Sequence, residues 1–163
     1  MAVPVVKFLE HCEPPTLVKI NVENVARFAF LAKRGNAMIP AYVLLEDRCE
    51  VFNLAGSVGF LPHYESVAAL DFGNDFVVQP SYTAACEIDQ GGLFRTPGAI
   101  VRTSDADYLV ASASGWRDLF YCNIKTGVRG GEPGRASVAF ASWSLYASGD
   151  DEAALIACNV KSN

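Results

Sequence analysis

Charge is scarce in this chain of 163 residues: Asp, Glu, Lys and Arg together make up 19%, below the roughly 25% usual for a soluble domain. Cations are the scarcer sign, 13 Lys and Arg against 18 Asp and Glu, which leaves a formal charge of −5. That balance argues against nucleic acid as a partner, because affinity for phosphates comes from Lys and Arg displacing counterions. Long apolar runs are missing too. The longest, such as Phe28 to Ala32, reach about five residues against the roughly 20 a membrane helix needs, so no membrane span is expected. The start, Met1 to Glu10, lacks a basic region, a long apolar middle and a small-residue cleavage site, so no secretory leader is read there.

Catalytic vocabulary is equally thin. Histidine is limited to His11 and His63, and the chain contains no Cys-x-x-Cys pair, Gly-x-Ser-x-Gly elbow, His-Glu-x-x-His, Walker loop or Gly-x-Gly-x-x-Gly. We therefore assign no catalytic residue, no metal ligand and no cofactor. His11 adjoins Cys12, but neighbours on a strand point to opposite faces, so they make a poor nucleophile–base pair. His63 reads as a loop histidine. An odd cysteine count without close pairs fits thiols kept free in a reducing compartment, and cytoplasm is the expected address.

What the chain does have is a regular spacing. Its cysteines, Cys12, Cys49, Cys86, Cys122 and Cys158, are separated by 37, 37, 36 and 36 residues. The last four are each followed by Glu or Asn and then Val or Ile, as in Cys86–Glu87–Ile88 and Cys122–Asn123–Ile124. Three of the intervals also carry a glycine six residues before a proline: Gly56 and Pro62, Gly91 and Pro97, Gly127 and Pro133. A fixed period of this length suggests one supersecondary unit copied several times within a single domain spanning 1–163.

Turn signals such as Phe72–Gly73–Asn74–Asp75, Thr96–Pro97–Gly98, Ser104–Asp105–Ala106–Asp107 and Lys125–Thr126–Gly127 recur along the chain. Between them lie segments rich in Val, Ile, Phe, Tyr and Thr, including Ala99–Thr103, Tyr108–Ser112, Leu119–Ile124 and Ala153–Val160, which are strand compositions. Trp143, Leu145 and Ala147 share one face at period two, so Ser137–Ala147 is read as extended. Residues 22–34 leave two readings open. Asn21 can cap a helix that ends at Lys33–Arg34–Gly35, while Ala26, Phe28, Phe30 and Ala32 alternate as in a strand paired with Ala41–Leu45. The expected fold is all-β and antiparallel, a pseudo-repeat closed into a small propeller or barrel with at most one short N-terminal helix; a β-sandwich is the alternative.

For function, the architecture class and the missing motifs point to a non-enzymatic binding module, lectin-like, for a carbohydrate or small polar ligand. Trp116, Arg117 and Asp118 set a flat apolar face beside a donor and an acceptor, and Trp143 and Tyr146 supply further aromatic surface. These five are the candidate ligand-binding residues. The competing structural role is a core tryptophan capped by a surface ion pair. The loop Gly127–Arg135, with Arg129 and Arg135, combines exposed amides with guanidinium groups, or is a solvated connection. Two other functions stay open: an enzyme or small-ligand barrel with an interior pocket near His63, and a self-assembling structural protein. The apolar fraction of 51% makes a homo-oligomer a natural outlet for uncovered surface.

Overall fold

The run Phe28 to Ala32 is a strand buried on both faces, and it shows how the rest of the chain is organised. The computed structural model describes residues 3–22, 24–32, 41–44, 51–52, 66–112, 119–134 and 136–160. Among them no α-helix occurs. In chain order the strands are β1 (Val5–Phe8), β2 (Thr16–Val22), β3 (Val25–Ala32), β4 (Ala41–Leu44), β5 (Val51–Phe52), β6 (Ala68–Gly73), β7 (Val77–Pro80) and β8 (Cys86–Ile88). They continue with β9 (Ile100–Arg102), β10 (Asp107–Ser112), β11 (Leu119–Asn123), β12 (Arg129–Gly130), β13 (Val138–Phe140), β14 (Ser142–Tyr146) and β15 (Ile156–Asn159). Short 3-10 helices form at Leu9–His11 and Gly92–Arg95.

Among the described residues all pairing is antiparallel and falls into three sheets, with orders β1-β6-β2-β3-β4-β5, β12-β11-β10-β9-β13-β8 and β15-β14-β7. β3 pairs with β2 on one side and with β4 on the other, Ala29 opposite Leu44 and Ala32 opposite Ala41. The hairpin reading of residues 22–34 is thus the one realised, and the helix reading is corrected: Asn21 sits within β2 opposite Ala26 instead of capping a helix. At the β2–β3 turn Asn24 adopts φ +66°, a left-handed conformation that asparagine tolerates better than most residues. No helix would satisfy both neighbours of β3, because its two rows of apolar side chains have to face opposite ways.

Those rows define the layers. Phe28, Phe30 and Ala32 join Leu17, Ile100, Leu109, Ala111, Phe120, Cys122, Trp143, Leu145 and Cys158 in a core contributed by all three sheets. Ala29 and Leu31 point the other way and pack with Leu9, Cys12, Val18, Ile20 and Ala69. The second sheet repeats the scheme: Val101, Val110, Tyr121 and Ala139 turn away from the shared core onto Leu93 and Phe94. Each large sheet therefore packs part of its outer face against a 3-10 helix, through Leu9 in the first and Leu93 and Phe94 in the second. This double burial absorbs much of the apolar composition.

The segment Ser137–Ala147 is extended as expected, and it also changes sheet. β13 pairs with β8 and β9, whereas β14, one residue later, pairs with β7 and β15. Ala141 is the corner, tied by its N–H to the Ala85 carbonyl and by its own carbonyl to the N–H of Val160.

Among the described residues the sheets end in open edges, and the closed barrel or propeller expected from the cysteine interval is not formed. The described cysteines do not all share one environment: Cys12 is buried just after a 3-10 helix and Cys86 is exposed on an edge strand, whereas Cys122 and Cys158 both lie in the shared core, Cys122 as a free thiol and Cys158 disulfide-bonded. That disulfide corrects the expectation that every thiol is free.

Candidate functional site

Of the residues singled out from sequence, Trp116, Arg117, Asp118 and His63 lie outside the described residues. Trp143 is 2% exposed. Its indole N–H donates to the Gly98 carbonyl at 2.8 Å, so it anchors β14 to the loop before β9 and presents no ring to solvent. Tyr146 is half-buried and, at even parity on β14, faces away from Trp143. The structure does not bring these two rings together.

The two buried free cysteines, Cys12 and Cys122, are quiet chemically. Burial pushes the Cys122 thiol up to about 12. Burial, reinforced by the Asp71 carboxylate, pushes the Cys12 thiol up to about 11. Both are protonated near neutral pH, and protonated thiols are poor nucleophiles. His11 is exposed, with its ring against Phe8 and its Nε2 3.4 Å from Glu10. The Cys12 sulfur instead donates to the Phe8 carbonyl. Among the described residues no group of three or more His, Cys, Asp or Glu is placed to hold a metal ion, and no helix is long and apolar enough to cross a membrane.

A different set of residues forms the most developed surface site. β9 and β10 make a hairpin in which Arg102 lies opposite Asp107. Its turn is closed by the Thr103 N–H to the Ala106 carbonyl, and the Thr103 hydroxyl accepts from the N–H groups of Asp105 and Ala106. This turn orients the pair. Arg102 Nε and Nη2 donate to the two Asp107 carboxylate oxygens, each at 2.7 Å, a bidentate fork. The remaining terminal nitrogen, Nη1, donates to the Tyr82 hydroxyl.

Tyr82 comes from the turn after β7 and is 68% exposed. Its ring meets the buried Phe140 ring edge-on, with centroids 5.3 Å apart, and the guanidinium carbon lies 5.9 Å from its centroid. On the neighbouring edge strand Ile88 is 71% exposed. It shares the face of Arg102 through Val138, which is opposite both. Hydrogen bonding to Asp107 raises the Arg102 pKa further and outweighs the effect of its partial burial, so the guanidinium stays charged at any physiological pH.

This rim combines a flat exposed ring, a fixed cation with unused N–H donors, a carboxylate and an apolar neighbour. Such a surface can stack against the apolar face of a ring-shaped ligand while directing hydrogen bonds to its hydroxyl or carbonyl groups. Part of it is signalled in the sequence, since Arg102 and Asp107 flank a four-residue turn as a cross-strand ion pair does. Tyr82, 20 residues upstream, has no such signal.

The comparisons with known proteins find no matching family model, no matching curated protein and no matching solved structure.

Proposed function

We propose that this chain is a non-enzymatic binding module for a carbohydrate or another small polar ligand, with Tyr82, Arg102 and Asp107 as its platform. The observation that carries the reading is the exposed Tyr82 ring held beside a guanidinium that Asp107 grips with both oxygens. A pre-ordered Arg and a two-rotor aromatic lose little freedom when a ligand arrives, which favours recognition of a weakly interacting polar molecule. Asp107 is committed to Arg102, so it is a poor candidate for an acid or base, and this supports binding over catalysis. Trp116, Arg117 and Asp118 belong to the proposal as a second aromatic–ion-pair combination of the same kind. The cytoplasmic address loses one support at the disulfide-bonded Cys158, because such bonds persist mainly in oxidising compartments.

The test is a glycan array and a polar-metabolite panel probed with the wild type and with Tyr82→Ala, Arg102→Gln and Trp116→Ala. A ligand whose affinity falls about tenfold or more in Tyr82→Ala and Arg102→Gln, about the 1.4 kcal/mol of one decade, supports the platform. A ligand held equally well by the wild type and by both of these variants would overturn it, and a selective loss in Trp116→Ala would move the site to residues 116–118.

A further inference from the structure

Among the described residues β1 is the outermost strand of the first sheet, and its sequence Val5–Val6–Lys7–Phe8 carries exposed valine and phenylalanine along the open edge. An apolar edge strand left open is a template for pairing with another chain. Which groups it offers follows from the register. Val5 lies opposite Asp71, Lys7 opposite Ala69, and the Leu9 N–H bonds to the Val67 carbonyl at 2.8 Å. Hydrogen-bonded pairs alternate along an antiparallel ladder. Val5, Lys7 and Leu9 therefore turn their backbone groups toward β6, while Pro4, Val6 and Phe8 turn theirs outward.

Two of the outward groups are out of play. Proline has no N–H, and the Phe8 carbonyl accepts the Cys12 thiol at 3.6 Å. What remains on the edge is two donors, Val6 N–H and Phe8 N–H, and two acceptors, Val6 C=O and Pro4 C=O. We propose that this edge pairs antiparallel with β1 of a second copy about a two-fold axis at Val6, joining two six-stranded sheets into one.

In that register Val6 exchanges both backbone bonds with Val6 of the second copy, and each Phe8 N–H reaches the opposing Pro4 carbonyl. The two bonds that would be lost are those from the absent Pro4 N–H to the occupied Phe8 carbonyl, so the edge is complementary to itself, as an isologous interface requires. The side chains agree. Phe8, 51% exposed, meets Pro4, and Val6, 73% exposed, meets its own copy, giving a ladder of apolar cross-strand pairs. Beside them opens a hollow of about 280 Å³ lined by Val6, Lys19, Ala26, Ala68 and Leu70. Charge does not oppose the contact: Lys7, the charged residue of the strand, is held by Asp71 of its own subunit at 2.8 Å. An unpaired lysine here would guard the edge, and this one is neutralised.

Sedimentation velocity from about 1 μM to about 500 μM, a span that brackets ordinary reversible dimers, tests the pairing. The wild type is expected to run as a dimer that dissociates on dilution. Val6→Lys and Val6→Glu each place like charges against each other on the axis and should run as folded monomers. Mixed in equal amounts they should recover a dimer, because Lys then faces Glu. Val6→Pro, which removes an outward N–H without touching the β6 ladder, should also be monomeric. Val25→Lys, at an exposed valine away from the edge, should match the wild type. A wild type that stays monomeric throughout, single-charge variants that dimerise like the wild type, or a mixture that fails to recover would each overturn the inference.

Discussion

Asp71 is 7% exposed and is the best-supported polar side chain of the first sheet. It accepts from Lys7 Nζ at 2.8 Å, the Thr16 hydroxyl at 2.6 Å and the Gly73 N–H at 2.9 Å. Burial alone would raise its pKa, but these three donors together win and hold it below the ordinary carboxylate value. A carboxyl group with a lowered folded pKa contributes stability above its unfolded pKa and loses it as pH falls through the folded one. Asp71→Ala should therefore cost about 2 kcal/mol near neutral pH, from a lost charged acceptor and stranded donors. The gap should begin to narrow below about pH 4, where the unfolded carboxyl takes up a proton while the folded one still resists it. Denaturant titrations at neutral pH and near pH 3 check this; an equal gap at both would show that the ionised form is not what stabilises.

At the level of elements, the β11–β12 hairpin depends on one backbone conformation. The Asn123 side chain accepts from the N–H groups of Lys125 and Thr126, and Gly127 closes the turn onto the Asn123 carbonyl. Gly127 has φ +69°, and a Cβ there would lie 3.0 Å from Pro15 Cβ. Gly127→Ala should cost about 1–2 kcal/mol. Gly131→Ala, where an added Cβ meets open space, should stay within about 0.5 kcal/mol of the wild type. A shared midpoint for the two variants would show that the turn relaxes. Strands at this scale were largely readable: β9, β11, β14 and β15 fall inside segments marked by composition and alternation, and β10 begins one residue before its segment, at Asp107. Residues 22–34 were ambiguous because Phe28 to Ala32 is apolar at every position. A strand covered on both faces loses the alternation that separates it from a helix.

Across the whole molecule the three sheets meet in one core, so they should unfold together in a single cooperative transition. Cys158 lies in that core and is disulfide-bonded. Reduction with dithiothreitol should lower the stability by about 2–4 kcal/mol. Alkylation of the unfolded, unreduced protein should label Cys12, Cys86 and Cys122 and spare Cys158. A labelled Cys158 peptide, or a midpoint indifferent to reductant, would contradict the bond. The candidate site was the least readable feature. Sequence proximity drew attention to Trp143, an aromatic on a clear strand, yet its indole is spent on the Gly98 carbonyl. Tyr82, Arg102 and Asp107 meet because β7, β9 and β10 bring separate segments to one rim.

The amino-acid sequence by itself determined the all-β class and most turn positions, because alternation, β-branched content and Gly/Asn/Asp placement act over a few residues. Tertiary structure decided which strands pair, that the sheets end in open edges among the described residues, that Cys158 is oxidised, and which aromatic faces solvent. Those outcomes rest on contacts between residues tens of positions apart, where a single chain read locally carries no distance information.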